Sequence, residues 1–502
     1  MKRRDFLSLS AVTVAESHLP SASGAQDRLV PTTPFGKYEG RVIGAQSQVG
    51  EFLGIRYGHA PMQRRFKRGL PVQKFVGVQP ALQWAKPCTQ LSRLDAQTTE
   101  DCLFLNVWAP LPLKKEMAPR PVMVYIHGGA YSSGSATDAV HSGFQLAHRE
   151  DVVVVTINHR LNVLGYLYLD RISSGFLGSG NVGQTDLILA LQWIRLCIES
   201  FGGDPECVTL FGQSGGGAKI ATLMATPEAD GLFHRAITMS GQQVTASGPL
   251  HASRRAEAFL KELKGDPRSV STADLMHALR VTRDPIMGGN LYMGPVLDMN
   301  VLHRHPFWPD AAPQGLRVPM IMGNTISETR AFYPPDGPIL KGLTFENLGA
   351  RVASELKVDI SPEWVVSEFR GQFPNDGPVE LFHRMVTASR SWRGQVIQAE
   401  ARDASGSPAH VYQLNFRSAK HTDDIALCLG NYPSDDAEAE RVSRRLMRRF
   451  ATFARSGVAD WPAYTRSSRL TLLVDHEDQV LSDPRGWERT LFSKVPYIQP
   501  GT

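Results

Sequence analysis

A G-x-S-x-G turn behind a short apolar run constrains this sequence more than any other feature. Residues 207–211 are followed directly by Gly212-Gln213-Ser214-Gly215-Gly216. A strand that turns sharply into a helix crowds its own backbone, and glycines relieve that crowding because they lack Cβ. The pattern predicts a strand, a turn with Ser214 at its tip, and a helix. The five residues alone are weak evidence, since a turn without chemistry has the same composition.

A second glycine-rich segment, residues 127–131, follows another apolar run that is typical of a buried strand. Small residues at such a place expose backbone N–H groups. Acyl transfer puts negative charge on the carbonyl oxygen of the substrate, and preorganised donors stabilise that charge. We expect the N–H groups of Gly129, Ala130 and Gly215 to form this oxyanion hole. The alternative is a glycine turn that serves only close packing.

The sequence resembles the type B carboxylesterase family, the carboxylesterase and cholinesterase branch of the α/β-hydrolases, from about Pro34 onward. The segments that carry the resemblance are residues 52–57, 100–107, 127–131, 201–216, 232–237 and 461–464. It implies an α/β-hydrolase fold: a mostly parallel central sheet with helices on both faces and a large helical insertion or lid. Residues 26–502 would form this single domain, and the polar stretch 254–283 would cap the site.

The resemblance also implies a catalytic triad whose acid and base follow later strands. Residues 319–328 have the form of the family's acid segment, which ends here in Glu328, and the loop after residues 411–416 contains His421. The order Ser214, Glu328, His421 is the order of α/β-hydrolases and differs from that of unrelated serine proteases.

Each triad candidate has an ordinary alternative when it is considered alone. Glu328 would more often be a solvated loop carboxylate. His421 stands close to Asp423 and Asp424, which is also compatible with a surface ion pair or a metal-like cluster. The hydroxyl of Ser240 is expected to have a structural role rather than a catalytic one.

These residue types predict a serine carboxylesterase that acts through an acyl-serine intermediate, with no metal and no organic cofactor. The glycines around Ser214 do not form a phosphate cradle, because no Lys-Ser/Thr pair or dinucleotide spacing follows them. Hydrolysis of amides or carbamates uses the same machinery and remains open. A binding module that keeps the fold without catalysis is a lesser alternative, since all three triad residues are present.

Departures from the family pattern bear on the substrate. Gln213 stands where the family usually has glutamate, Gly215 replaces a common alanine, and Ala130 replaces a frequent glycine. The resemblance implies a disulfide between Cys88 and Cys102, and the short loop between them has no aromatic residue for cation–π binding of choline. Neutral alkyl or aryl esters are therefore favoured.

The N-terminus resembles a twin-arginine export signal, with Arg3 and Arg4 before a mildly apolar stretch. Residues 1–25 would then direct the protein to the periplasm or the medium, although Glu16 and His18 weaken the stretch and leave a cytoplasmic location open. The formal net charge of +5 is small for 502 residues and implies no nucleic-acid partner. No membrane span is expected, and the oligomeric state is open. The remaining cysteines, expected to be buried, are Cys197, Cys207 and Cys428.

Overall fold

The computed structural model describes residues 28–44, 48–93, 98–113, 118–286 and 288–499, so the predicted export signal lies outside the described residues. The described strands are β1 (Arg28–Leu29), β2 (Lys37–Ile43), β3 (Val49–Arg56), β4 (Gly58–His59), β5 (Leu70–Pro71), β6 (Val78–Pro80), β7 (Phe104–Pro110), β8 (Arg120–Ile126), β9 (Val153–Ile157), β10 (Gly203–Gln213), β11 (Arg235–Met239), β12 (Met320–Thr325), β13 (His410–Leu414), β14 (Leu470–Val474) and β15 (Gln479–Ser482). The described α-helices are α1 (Phe144–Glu150), α2 (Asn162–Tyr166), α3 (Val182–Cys197), α4 (Gly215–Leu223), α5 (Pro249–Leu263), α6 (Thr272–Val281), α7 (Pro313–Leu316), α8 (Leu348–Val352), α9 (Pro362–Gln372), α10 (Pro378–Val386), α11 (Arg393–Ala404), α12 (Asp423–Leu429), α13 (Ala437–Ser456) and α14 (Gly486–Phe492).

One large sheet organises the chain. Its strand order is β1-β2-β3-β7-β9-β8-β10-β11-β12-β13-β14-β15, and β6 pairs with β2 off this path. Neighbouring strands are parallel from β9 through β14, whereas antiparallel pairs occupy both edges of the sheet. This is the mostly parallel sheet of the α/β-hydrolase fold that the sequence predicts.

The central strands are buried on both faces, as parallel strands covered by helices usually are. Along β8, Val122 and Val124 face one apolar core, and Met123 and Tyr125 face the other. Successive side chains of a strand point to opposite faces, so a continuous apolar run is needed to fill both cores. Each such valine, moved from water into a core, contributes roughly 1.5 to 3 kcal/mol to folding.

The helical insertion is larger than the sequence indicates. The stretch 254–283 contributes part of α5 and all of α6, and both helices lie between β11 and β12. A second insertion, between β12 and β13, holds α8 to α11 and a π-helix at Thr387–Trp392. Helices α8 to α10 share a third apolar core with α14. Both insertions leave the sheet at the carboxyl ends of its strands.

The predicted disulfide is not formed in this structure. Cys88 and Cys102 are buried free thiols. Burial raises the pKa of the Cys102 thiol well above its usual value, and its hydrogen bond with Cys88 raises that pKa further. A protonated thiol is a poor partner for disulfide formation, because the thiolate is the reactive species.

The other three cysteines follow the prediction in part. Cys197 and Cys428 are buried as expected, but Cys207 is half-buried. Its thiol donates to the carbonyl of Ala454 at 3.2 Å and accepts from the Arg235 guanidinium at 3.2 Å. None of the described helices combines the length and the hydropathy that a membrane-spanning helix requires.

Candidate active site

Ser214 lies in a strained turn between β10 and α4. Its backbone has φ 56° and ψ −124°, a conformation that residues with a Cβ rarely adopt. Glycines make room for this turn, since a Cβ on Gly216 would lie 1.9 Å from the carbonyl oxygen of Ile126, and a Cβ on Gly212 would lie 2.7 Å from the same oxygen. The Ser214 N–H donates to the carbonyl of Met239 at 2.7 Å, which fixes the turn to the neighbouring strand.

The segment after β8 packs directly against this turn. Gly129 has φ 84° and Ala130 has φ 53°. A Cβ on Gly215 would lie 2.1 Å from the carbonyl oxygen of Ala130, so the alanine common in the family at position 215 would collide with this backbone. The N–H groups of Gly129, Ala130 and Gly215 donate to no other described residue. They are therefore available to a ligand beside Ser214.

His421 and Glu328 form a buried pair at the ends of β13 and β12. His421 Nδ1 hydrogen-bonds Glu328 Oε2, and the two residues are 6% and 0% exposed. This burial rules out the solvated carboxylate and the surface ion pair that the sequence left open. His421 Nε2 has no partner among the described residues, and the Phe332 ring lies against the imidazole with 4.7 Å between centroids.

The loop that carries His421 is shaped by its own aspartates. The Asp423 carboxylate accepts the backbone N–H of Lys420 at 2.7 Å, and Thr422 between them has φ 83°. Asp424 is buried in the core, where it accepts the Tyr412 hydroxyl at 3.4 Å. Neither aspartate hydrogen-bonds the imidazole, so the metal-like cluster considered from the sequence is not formed.

The sheet brings these predicted residues together at the carboxyl ends of its central strands, because the strands that precede them are consecutive neighbours: β8, β10, β11, β12 and β13. Ser214 and His421 are not joined by a hydrogen bond in this structure. Such contacts are often long in a free enzyme and tighten when substrate binds.

Comparison with known proteins identifies the family of this chain. The sequence model of the carboxylesterase family matches residues 26–487. Para-nitrobenzyl esterase of Bacillus subtilis (strain 168) is 31% identical over 501 residues, covering 92% of this chain and 97% of that protein. The chain belongs to the carboxylesterase family. It is a carboxylic ester hydrolase.

Solved structures of other esterases share the fold of this carboxylesterase. A carboxylesterase of Geobacillus stearothermophilus matches with a TM-score of 0.81 at 28% identity, over 92% of this chain and 99% of the other. An esterase from anaerobic Clostridium hathewayi, described as able to hydrolyze aliphatic aromatic polyesters, matches with a TM-score of 0.73 at 28% identity, over 94% of this chain and 100% of the other.

In the carboxylesterase site, the buried Glu328 is kept ionised. Burial alone would raise its pKa, but the His421 charge and hydrogen bonds from His421, Ser240 and the Thr325 N–H outweigh burial, and the net pKa is lowered. The Ser240 hydroxyl donates to Oε1 at 2.5 Å, and the Thr325 N–H donates to it at 2.8 Å. Ser240 therefore contacts the Glu328 carboxylate directly, a contact that the sequence did not predict.

A second buried carboxyl group, on Asp424, behaves in the opposite way, whereas the sequence indicated for it only a surface ion pair or a metal-like cluster with His421. Burial and the nearby Glu328 charge raise the pKa of Asp424 to about 7. Its Oδ1 atom has no hydrogen-bond partner among the described residues. Because the pKa values of the two neighbouring carboxyl groups are shifted in opposite directions, there is a pH range below 7 in which Glu328 is ionised and Asp424 is protonated.

This pKa makes stability depend on pH in a direction that can be checked. In unfolded chains Asp424 loses its proton near pH 4, but in the folded protein only near pH 7. The parent should therefore lose stability as pH rises through this window. Asp424→Asn cannot titrate, so its unfolding free energy relative to the parent should rise by about 4 kcal/mol between pH 4 and pH 8. Urea unfolding at several pH values measures this, and parallel curves would contradict the assignment.

Proposed function

We propose that this carboxylesterase hydrolyses neutral alkyl or aryl esters through an acyl intermediate on Ser214. His421 is the general base, and Glu328 is the carboxylate member of the triad. The observation that carries the proposal is the buried His421 and Glu328 pair, whose free Nε2 lies at the same sheet edge as Ser214. In the neutral imidazole, the proton on Nδ1 is donated to Glu328, and Nε2 is then the nitrogen that can accept a proton.

The first step forms the acyl enzyme. The Ser214 oxygen attacks the ester carbonyl carbon while Nε2 takes the hydroxyl proton. The carbonyl oxygen becomes an oxyanion that accepts from the N–H groups of Gly129, Ala130 and Gly215. The tetrahedral carbon then expels the alcohol, which receives the proton from His421.

The second step frees the enzyme. Water takes the place of the alcohol and gives a proton to His421 Nε2 as its oxygen attacks the acyl carbon. A second oxyanion forms in the same hole and collapses, the bond to Ser214 breaks, and the serine oxygen regains its proton. The products are a carboxylic acid and an alcohol, and one water molecule is consumed for each ester hydrolysed.

A positive group near His421 supports the preference for neutral esters. The Arg390 guanidinium lies 5.3 Å from the centroid of the Phe332 ring, and that ring packs on His421. The aromatic ring that packs on the base is thus already engaged by a cation. This ring is therefore a poor cation–π site for a substrate ammonium, because the Arg390 guanidinium, which pairs with Glu355 at 3.9 Å, already lies over it.

Acetylcholine and 3,3-dimethylbutyl acetate test this preference, because they have nearly the same shape and differ in charge. We expect kcat/KM for the neutral ester to exceed that for acetylcholine by about tenfold or more, which is about 1.4 kcal/mol. Arg390→Gln should narrow the difference. Faster hydrolysis of acetylcholine by the parent would contradict the neutral preference.

A series of p-nitrophenyl and naphthyl esters of increasing acyl length, with anilides of the same acids, decides between ester and amide hydrolysis. The proposal predicts faster turnover of every ester than of its anilide, since the anilide has the poorer leaving group. Faster turnover of the anilides would establish the amide alternative instead.

A further inference from the structure

A fully buried lysine lies directly beneath the oxyanion loop, residues 127–131. Lys219 belongs to α4, five positions after Ser214, and its side chain is completely enclosed. Its Nζ donates to the carbonyl oxygen of Ala130 at 2.7 Å and to that of His127 at 3.2 Å. Both acceptors belong to the oxyanion loop, so one amine bridges the loop and the helix that follows the nucleophile.

The surroundings of this amine contain no balancing acid. Among the described residues, no carboxylate pairs with Lys219, and burial lowers its pKa to about 7. The Tyr131 ring lies 5.4 Å from Nζ. His127 and His159 stack beside it with 4.8 Å between centroids, and burial and the Lys219 charge keep the pKa of both rings low.

An apolar side chain would fill this space at a lower cost than a buried amine without a carboxylate partner. The contribution of Lys219 must therefore come from its two hydrogen bonds. Both are directed at the backbone of a single loop, which identifies the part of the site that depends on them.

The two carbonyl groups flank the proposed oxyanion donors. The peptide groups between them carry the N–H groups of Gly129 and Ala130, which stand in the proposed oxyanion hole. Ala130 has φ 53°, a conformation that a residue with a Cβ adopts only when its surroundings hold it. The Lys219 amine donates to the carbonyl of this same residue. Because Gly215 has no Cβ, the loop can approach the helix closely enough for this hydrogen bond to form.

We propose that Lys219 is a positioning residue of the oxyanion hole, which holds the donors of Gly129 and Ala130 at the place where the oxyanion forms. This inference rests on the proposed function, since it assumes that an oxyanion forms beside Ser214. Lys219 does not touch the substrate. It acts by fixing both ends of the segment whose N–H groups do.

Lys219→Met tests the proposal, because methionine has a similar length but no N–H donor and no charge. Loss of one oxyanion donor typically lowers kcat by about 10² to 10³. We expect K219M to lower kcat for a p-nitrophenyl ester by about 100-fold, with KM changed less than about threefold, because the ground-state ester does not need the aligned donors.

Two ketone inhibitors separate positioning from general damage. An alkyl trifluoromethyl ketone forms an anionic adduct with the serine, whereas the matched methyl ketone binds without forming one. K219M should weaken the trifluoromethyl ketone by a factor similar to the loss in kcat and leave the methyl ketone unchanged. Thr226→Val is the control, since it removes another buried hydrogen bond, Thr226 to the Thr222 carbonyl at 2.9 Å, just beyond α4. It should change neither inhibitor.

A kcat within about threefold of the parent, or equal weakening of both ketones, would overturn the proposal. If K219M is not recovered as folded protein, Lys219→Arg takes its place, because the guanidinium keeps the charge but moves the donors, and the same selective loss is required. Ser214→Ala is measured beside them. If Ser214→Ala keeps the parent's activity, the proposed function is wrong. If activity is lost in Ser214→Ala but not in K219M, only the proposal for Lys219 is wrong.

Discussion

Replacing Ser214 with alanine is expected to lower kcat for p-nitrophenyl esters by about 10⁵-fold or more, as loss of a serine nucleophile does in other serine hydrolases. The side chain stands at the tip of a turn that the surrounding glycines permit, and its oxygen is the only atom lost in the variant. Fold and stability should be retained, since the backbone N–H of residue 214 still donates to Met239. The measurement is steady-state hydrolysis beside thermal unfolding of both proteins.

Ser443→Ala is the matched control for loss of a serine hydroxyl. Ser443 is buried in α13, where its hydroxyl donates to the Leu427 carbonyl at 2.6 Å. The control should keep the parent's kcat and lose a little stability, about 1 kcal/mol. If Ser214→Ala retained more than about a hundredth of the parent's kcat, another group would have to act as nucleophile, and the account would be wrong.

Replacing Glu328 with glutamine should lower kcat by about 10⁴-fold while KM changes little. An amide offers one acceptor oxygen, yet the carboxylate now accepts from His421, from Ser240 and from the Thr325 N–H. At least one of these donors would then face the amide NH₂ group. If that donor is His421 Nδ1, the imidazole is held in the tautomer whose proton is on Nε2, which cannot accept the serine proton. The measurement is kcat and KM for one ester between pH 5 and pH 9.

The sign of the Glu328 pKa shift shapes the parent's profile in the same experiment. Because the pKa of Glu328 is lowered, the carboxylate stays charged over this pH range, and no loss of activity from its protonation is expected. Glu51→Gln is the control. Glu51 lies on β3, away from the strands that carry the site residues, and it is also buried and accepts from Trp108 Nε1 at 3.1 Å. Its kcat should match the parent's, and an equal loss in both variants would remove Glu328 from the triad.

The sequence predicted those parts of the site that depend on local backbone strain. A turn as sharp as the one at Ser214 demands glycines at fixed positions, so the motif itself indicates the strand, the turn and the helix. Glu328 and His421 were found from the family's order of segments, because neither has a local signal of its own. Their burial and mutual contact are tertiary facts.

Other features could not be predicted, because distant segments create them. Lys219 looks like an ordinary helical lysine until β8 brings the carbonyl groups of His127 and Ala130 over its amine. Asp424 has a raised pKa because the folded chain buries it and places the Glu328 charge nearby. The second helical insertion was missed for a related reason: its apolar residues fill a third core of their own, which composition does not distinguish from the main ones.

Covalent labelling of the nucleophile tests the central claim most directly. The parent and Ser214→Ala would each be treated with diethyl p-nitrophenyl phosphate, with release of p-nitrophenol followed by absorbance and the modified peptide identified by mass spectrometry. The account predicts about one equivalent of p-nitrophenol per parent chain, a diethylphosphoryl group on Ser214, and neither in the variant. A label on another residue, or equal labelling of the variant, would contradict the claim that Ser214 is the nucleophile.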